Sequence, residues 1–308
     1  MKKILITGGT GMLGSAFKNT EKYEFIKASK KHNLTNSASA LSLIGSIRPS
    51  GVIHLAAKVG GVKGNTEYVA DFFRENILIN TNLLEACKQY NTPKVVSLLS
   101  TCVYPDTAKY PLTEDQIHLG HPHESNFGYA YAKRMLHIQS KAYRQQFGSN
   151  FICAVPNNLF GKNDNFDLDN GHVIPSVIRK IYEAKKNNFD SVSFWGDGTA
   201  LREFTYSEDI AYILVFLLEN YNGEAPVNIG NTEEISIKRL VEEVAKVFDY
   251  SGKIVWDTSK PTGQKRKPSS NLMLRKMGYK RKYSDFKESI KETCEWFAEN
   301  YPNVRGID

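Results

Sequence analysis

Long hydrophobic runs are missing from this 308-residue chain. The longest, residues 210–218, has nine residues, against roughly 18 to 20 needed to cross a bilayer, so no membrane partner is expected. Two lysines precede an apolar run at the N-terminus, but Gly8, Gly9 and Gly11 interrupt it too early for the core of a secretory signal. A cytoplasmic location is therefore expected. Cysteine is scarce: Cys87, Cys102, Cys153 and Cys294 are scattered without a Cys-x-x-Cys pair, which argues against a disulfide framework and a zinc ribbon and leaves reduced thiols. His118, His121 and His123 share one loop, but with no fourth ligand at a useful spacing they read as loop residues, and no metal is expected. Internal repeats and low-complexity tracts are also missing.

What is present is ordinary globular composition, 41% hydrophobic and 24% charged, which favours a folded chain. The net charge of +7 is modest and falls in short clusters. It gives no basic stripe for nucleic acid, and phosphorylated small molecules account for it equally well. Its densest cluster, Lys265-Arg266-Lys267, reads by itself as a solvated loop. Short β-branched runs at residues 4–7, 25–28, 52–55, 95–99 and 151–155 alternate with helical patterns at 11–19, 39–47, 71–90 and 129–147. That alternation predicts an α/β fold: a Rossmann-type doubly wound parallel sheet with helices on both faces. Beyond residue 160 the texture changes to Gly- and Asn-rich loops, then a helix at 173–187, a strand at 192–194, a helix at 207–219, a strand at 227–230 and a helix at 237–248. A smaller interleaved α/β substrate-binding domain is expected, with residues 1–165 plus about 205–230 binding the cofactor and about 166–204 plus 231–308 binding the substrate.

Gly8-x-x-Gly11-x-x-Gly14 follows the first strand directly and opens a helix. Glycines so placed permit a tight turn, admit a pyrophosphate to the backbone and let the helix pack on the sheet with its N-terminus toward the phosphates. In such folds a carboxylate after the second strand holds the ribose diol of NAD, yet residues 25–66 contain no Asp or Glu. Ser29-Lys30-Lys31 stands there instead and suits a 2′-phosphate, so NADP(H) is favoured as cofactor. Farther on, Tyr129-x-x-x-Lys133 places a phenol and an ammonium one helical turn apart. The ammonium is expected to lower the phenol pKa from about 10. With Ser100 at the end of the preceding strand, the pair can bind and protonate a carbonyl oxygen during hydride transfer.

Gly8-x-x-Gly11-x-x-Gly14, His54-Leu55-Ala56-Ala57, Ser100 and Tyr129-x-x-x-Lys133 together resemble the extended short-chain dehydrogenase/reductase family that modifies nucleotide sugars. Leu99-Ser100-Thr101-Cys102-Val103-Tyr104-Pro105, Asn158-Leu159-Phe160-Gly161, Gly171-His172-Val173-Ile174-Pro175 and Trp195-Gly196-x-Gly198 narrow the resemblance to the GDP-L-fucose synthase branch. It runs over essentially the whole chain. The resemblance implies NADPH-dependent 3,5-epimerisation and 4-reduction of a GDP-linked 4-keto-6-deoxy sugar, GDP-4-keto-6-deoxy-D-mannose. The alternative is C4 reduction, with or without epimerisation, of another GDP-linked 4-keto sugar such as a 6-deoxyheptose.

By the same resemblance Cys102 and His172 are the epimerising base and acid, joining Ser100, Tyr129 and Lys133. Around the cofactor it places Gly8, Thr10, Gly11, Met12, Leu13 and Gly14 of the loop, then Ser29, Lys30 and Lys31. Leu55, Ala56 and Ala57, the Tyr129 and Lys133 pair, and Pro156 with Asn158 complete that set. Asn158, Lys180, Trp195, Arg202 and Lys267 fall around the sugar nucleotide, where Arg202 and Lys267 can neutralise diphosphate charge and Trp195 offers a ring face. A homodimer through the helices at 71–90 and 129–147 is also implied. The chain departs from the pattern at Asn157, where relatives usually carry Thr.

Overall fold

The computed structural model describes residues 1–260 and 265–307. Its main sheet has six parallel strands in the order β2-β1-β3-β4-β5-β9: Lys2–Thr7 (β1), Tyr23–Lys27 (β2), Gly51–His54 (β3), Val95–Leu98 (β4), Phe151–Pro156 (β5) and Val227–Ile229 (β9). Helices Met12–Ser15 (α1), Ser37–Ile47 (α2), Val62–Glu67 (α3), Val69–Gln89 (α4), Phe127–Phe147 (α5) and Ser207–Asn220 (α7) connect them. The apolar runs in the sequence are nearly continuous because both faces of the sheet are covered. Leu5, Val52, Val95 and Cys153 join one core with Ile44 of α2, Leu84 of α4 and Leu136 of α5. Their neighbours in sequence, Ile4, Ile6, Ile53, Val96 and Ile152, point the other way into a second core with Ile210, Ile213 and Leu217 of α7.

A third core lies beneath a smaller set of strands. Asn158–Phe160 (β6), Leu201–Tyr206 (β8) and Glu234–Ser236 (β10) form one sheet in the order β10-β8-β6, while Ser191–Trp195 (β7) pairs in parallel with Lys253–Asp257 (β11). Val173–Lys186 (α6), Ile237–Val247 (α8) and Phe286–Asn300 (α10) cover them through Ile178, Leu240, Val244, Ile290 and Phe297. Asp285 caps α10 by accepting from Lys287 N and Glu288 N. The short helix Leu272–Lys276 (α9) returns to the main sheet, where Leu274 enters the second core.

The expected helix over 11–19 is one turn long in the structure. The chain leaves it so that Phe17 can be buried against Phe25, ring centroids 5.3 Å apart. Asn19 Oδ1 then accepts from Phe25 N, and Thr20 closes the turn into β2. Sequence patterning also passed over α10 and the β6-β8-β10 sheet. Three-residue strands such as β6 and β10 are too short to show a period. Among the described residues no helix is long and apolar enough to cross a membrane.

Candidate active site

β1 is flanked by β2 on one side and β3 on the other, so the chain reverses direction across the sheet there. The crevice beyond the carboxyl ends of such strands is where open α/β sheets take ligands. Gly8 sits at its mouth with φ +67°, and a Cβ on it would lie 3.0 Å from Ala56 N. A Cβ on Gly14 would lie 2.4 Å from Gly8 O. The glycines thus let the loop fold onto both the helix and the segment that follows β3. Gly9 N donates to Ala28 O, which fastens the Ser29 to Lys31 segment beside the loop, with Lys30 and Lys31 exposed. Thr10 is exposed and Met12 half-buried, whereas Leu13 spends its side chain in the second core and has only its backbone to offer a ligand.

Beneath the loop lies a relay that sequence reading missed. The buried Thr7 Oγ1 accepts from Leu55 N at 3.1 Å and Ala56 N at 3.2 Å and bonds His54 Nδ1 at 2.8 Å. Since that oxygen already accepts twice, its proton goes to Nδ1. Nε2–H of His54 is then left to donate to Asn80 Oδ1, 3.0 Å away. Burial, helped by the charge of Lys133, pulls the His54 pKa down to about 3, so the imidazole is neutral and serves as a strut. The relay sets the backbone of Leu55, Ala56 and Ala57 against Gly8.

The second group of side chains gathers at the end of β4. Ser100 Oγ accepts from Cys102 N at 3.4 Å, and α5 brings in Tyr129 and Lys133. Lys133 is buried, donates to Leu98 O at 2.8 Å and lies 5.7 Å from the centroid of the Tyr129 ring. Burial lowers its pKa to about 8. Burial also raises the Tyr129 phenol well above its ordinary value, with the charge of Cys102 acting in the same direction. This differs from the expectation that Lys133 would depress the phenol: desolvation and then Cys102 set the direction, and the ammonium bonds a main-chain carbonyl. Tyr129 is held protonated.

Cys102 is half-buried, whereas Cys87, Cys153 and Cys294 are buried. Burial pushes its thiol up, while the bond to Ser100 and the charges of Lys267 and Lys133 pull the other way. Lys267 therefore reaches the same centre from a segment more than a hundred residues distant in sequence, and it shares a field with Arg202. His172 is the N-cap residue of α6. The loop carrying it is fastened to the strand-end segment after β3 by Gly61 N donating to Asn170 O at 2.9 Å. His172 is exposed, yet desolvation of its ring by the surrounding chain, then the charge of Arg305, lowers its pKa.

Other anticipated residues lie apart from this cluster. Pro156 ends β5, buried, and Asn158 on β6 donates to Glu203 O at 2.9 Å. Lys180 on α6 reaches Ser193 O, and Trp195 on β7 is 68% exposed, free to receive a flat ring. The loop histidines have separate partners: His118 bonds His137, His121 bonds the Tyr131 hydroxyl, and His123 caps Ser125. No metal-binding group of His, Cys, Asp and Glu forms among the described residues.

The model of the NAD dependent epimerase/dehydratase family matches residues 4–230. A GDP-L-fucose synthase of Dictyostelium discoideum is 42% identical over 99% of this chain and 98% of its own length. Among solved structures, a GDP-L-fucose synthetase from Naegleria fowleri bound to NADP superposes with a TM-score of 0.93 at 38% identity, covering 99% of this chain and 95% of that one. A GDP-6-OMe-4-keto-L-xylo-heptose reductase from Campylobacter jejuni follows at TM-score 0.86 and 27% identity, covering 97% and 98%.

Proposed function

This chain belongs to the NAD dependent epimerase/dehydratase family, and from that premise we propose that it converts GDP-4-keto-6-deoxy-D-mannose to GDP-L-fucose. It inverts C3 and C5 and then reduces C4, with NADP(H) as cofactor. The observation that carries the reading is the convergence of Ser100, Cys102, Tyr129, Lys133 and Lys267 at the end of β4. The fit to a dinucleotide rests on the cradle that side chains at Gly8 and Gly14 would fill and on Lys30 and Lys31, whose ammonium groups suit a 2′-phosphate. When bound, reduced nicotinamide supplies the hydride for C4.

The protein's own groups do the rest. A ketone at C4 acidifies the protons at C3 and C5, and the hydroxyls of Ser100 and Tyr129 can bind the oxygen that becomes an enolate. Cys102 and His172 remove and return protons on opposite faces of the ring. With the thiol raised and the imidazole lowered by desolvation, the pair holds one transferable proton, which suits one removal and one delivery. In the reduction Tyr129, protonated at rest, gives its proton to O4, and the Lys133 ammonium stabilises the phenolate left behind. Arg202 and Lys267 face the diphosphate and Trp195 the guanine or sugar.

Exposed Phe73 on α4 and Ile138 and Phe147 on α5 support a homodimer across this helix pair. Among the described residues no helix is long and apolar enough to cross a membrane. Turnover of GDP-4-keto-6-deoxymannose with NADPH in D2O tests the function: GDP-fucose carrying deuterium at C3 and C5 is expected. Reduction without deuterium at those carbons, or turnover only of a heptose analogue, favours the second reading suggested by the more distant reductase.

A further inference from the structure

Glu203 is a buried carboxylate on β8 that takes no part in the chemistry above. Its Oε1 accepts from Ser269 N at 2.8 Å, and its Oε2 accepts from Ser269 Oγ at 2.5 Å and Asn157 Nδ2 at 3.3 Å. Both ends of the segment that carries Lys267 are thereby tied to one strand, for Leu201 N on β8 also donates to Lys265 O at 2.8 Å. The segment is gripped from its other side by Leu112, whose N–H donates to Pro268 O and whose carbonyl accepts from Ser270 N, each at 2.9 Å. Leu112 is itself held by Asn228, which donates to the same carbonyl and accepts from the buried Tyr104 hydroxyl.

Lys267 spans the gap between these anchors and lies in the fields of Cys102, Asp106 and Arg202. Cys102 and Asp106 favour the ammonium while burial and Arg202 oppose it, so charge alone does not fix its place, and the hydrogen-bonded frame on either side sets where the backbone of Lys267 lies. A carboxylate with three hydrogen bonds is stiff enough to do this, and burying it has a desolvation cost that only those bonds offset.

We propose that Glu203 is a positioning residue which, through Ser269, presets Lys267 for the diphosphate of the substrate. The proposal rests on the GDP-sugar reading, and its test separates the two. GDP and NADPH serve as probes, with dissociation constants measured on the full chain. Glu203→Ala is expected to weaken GDP roughly tenfold, the loss of a preorganised charged contact, and to leave NADPH unchanged. In catalysis KM for the sugar nucleotide rises while kcat falls little. Glu203→Gln keeps an acceptor for Ser269 N and restores most of the affinity. In a Lys267→Ala background Glu203→Ala has no further effect on GDP, since the residue it positions is gone. Should Glu203→Ala fail to fold, Ser269→Ala removes a single bond and is expected to weaken GDP about threefold.

Equal losses for GDP and NADPH, additivity with Lys267→Ala, or unchanged GDP binding each overturn the proposal alone. A wild-type protein that binds NADPH but not GDP overturns the functional reading and this proposal with it.

Discussion

Replacing Lys133 by methionine should yield a protein that is more stable and no longer reduces its substrate. The buried Lys133 has its pKa lowered from 10.5 to about 8, with burial as the leading cause. At about 1.36 kcal/mol per pH unit, keeping the ammonium charged in the fold costs about 3 kcal/mol. The folded pKa lies below the unfolded one, so between about pH 8 and about 10.5 the unfolded chain binds the extra proton and stability rises with pH. Below about pH 8 the penalty is present in full. Methionine has a similar length and no charge. It loses the bond to Leu98 O, worth about 1 kcal/mol, which leaves a net gain of about 2 kcal/mol at pH 7. For a chain of this size the melting temperature should rise by roughly 3 °C.

The assay is thermal unfolding of cofactor-free protein, wild type against Lys133→Met, from pH 6 to 10. The comparison isolates Lys133 from Lys94, which is also lowered to about 8 by burial and contributes equally to both curves. The two should converge as pH rises, while NADPH oxidation is lost in the variant throughout. A variant that melts below the wild type at pH 7, or curves that run parallel, would refute the argument that the ammonium is held at a cost for catalysis.

Tyr129→Phe should lower reduction by roughly 10³-fold, within the range for losing a general acid, and should slow but not abolish exchange of substrate protons with solvent, because Ser100 still holds the enolate oxygen, as NMR in D2O without NADPH would reveal. Cys102→Ala should abolish that exchange and leave the NADPH dissociation constant unchanged by titration. In the wild type, iodoacetamide should modify Cys102 faster as pH rises above neutrality, because burial holds the thiol protonated. Replacing Lys30 and Lys31 together by alanine should weaken NADPH about tenfold or more and NADH hardly at all, since the 2′-phosphate alone distinguishes them; equal losses in fluorescence titrations would assign the two lysines elsewhere.

The parts of the site that could be read in the sequence are those whose geometry is set within one element or one turn. Gly8, Gly11 and Gly14 share a strand-to-helix junction, and Tyr129 and Lys133 share a helix face, so spacing alone places them. The groups that hold them cannot be found this way. Thr7 and His54 meet across 47 residues, His54 and Asn80 across 26, and Glu203 and Ser269 across 66; only the sheet order brings them together. Electrostatics was misjudged for a related reason. Pairing a phenol with a lysine suggests a lowered pKa, but burial acts on both and dominates, and burial depends on the whole fold. Asn157 shows how a local departure gains meaning from such long-range contacts. Its Oδ1 accepts from Thr205 Oγ1 at 2.7 Å while its Nδ2 donates to Asn231 O at 2.7 Å and to Glu203. A threonine there has one donor and no amide to span these partners. The asparagine links the end of β5 to the carboxylate that anchors the Lys267 segment.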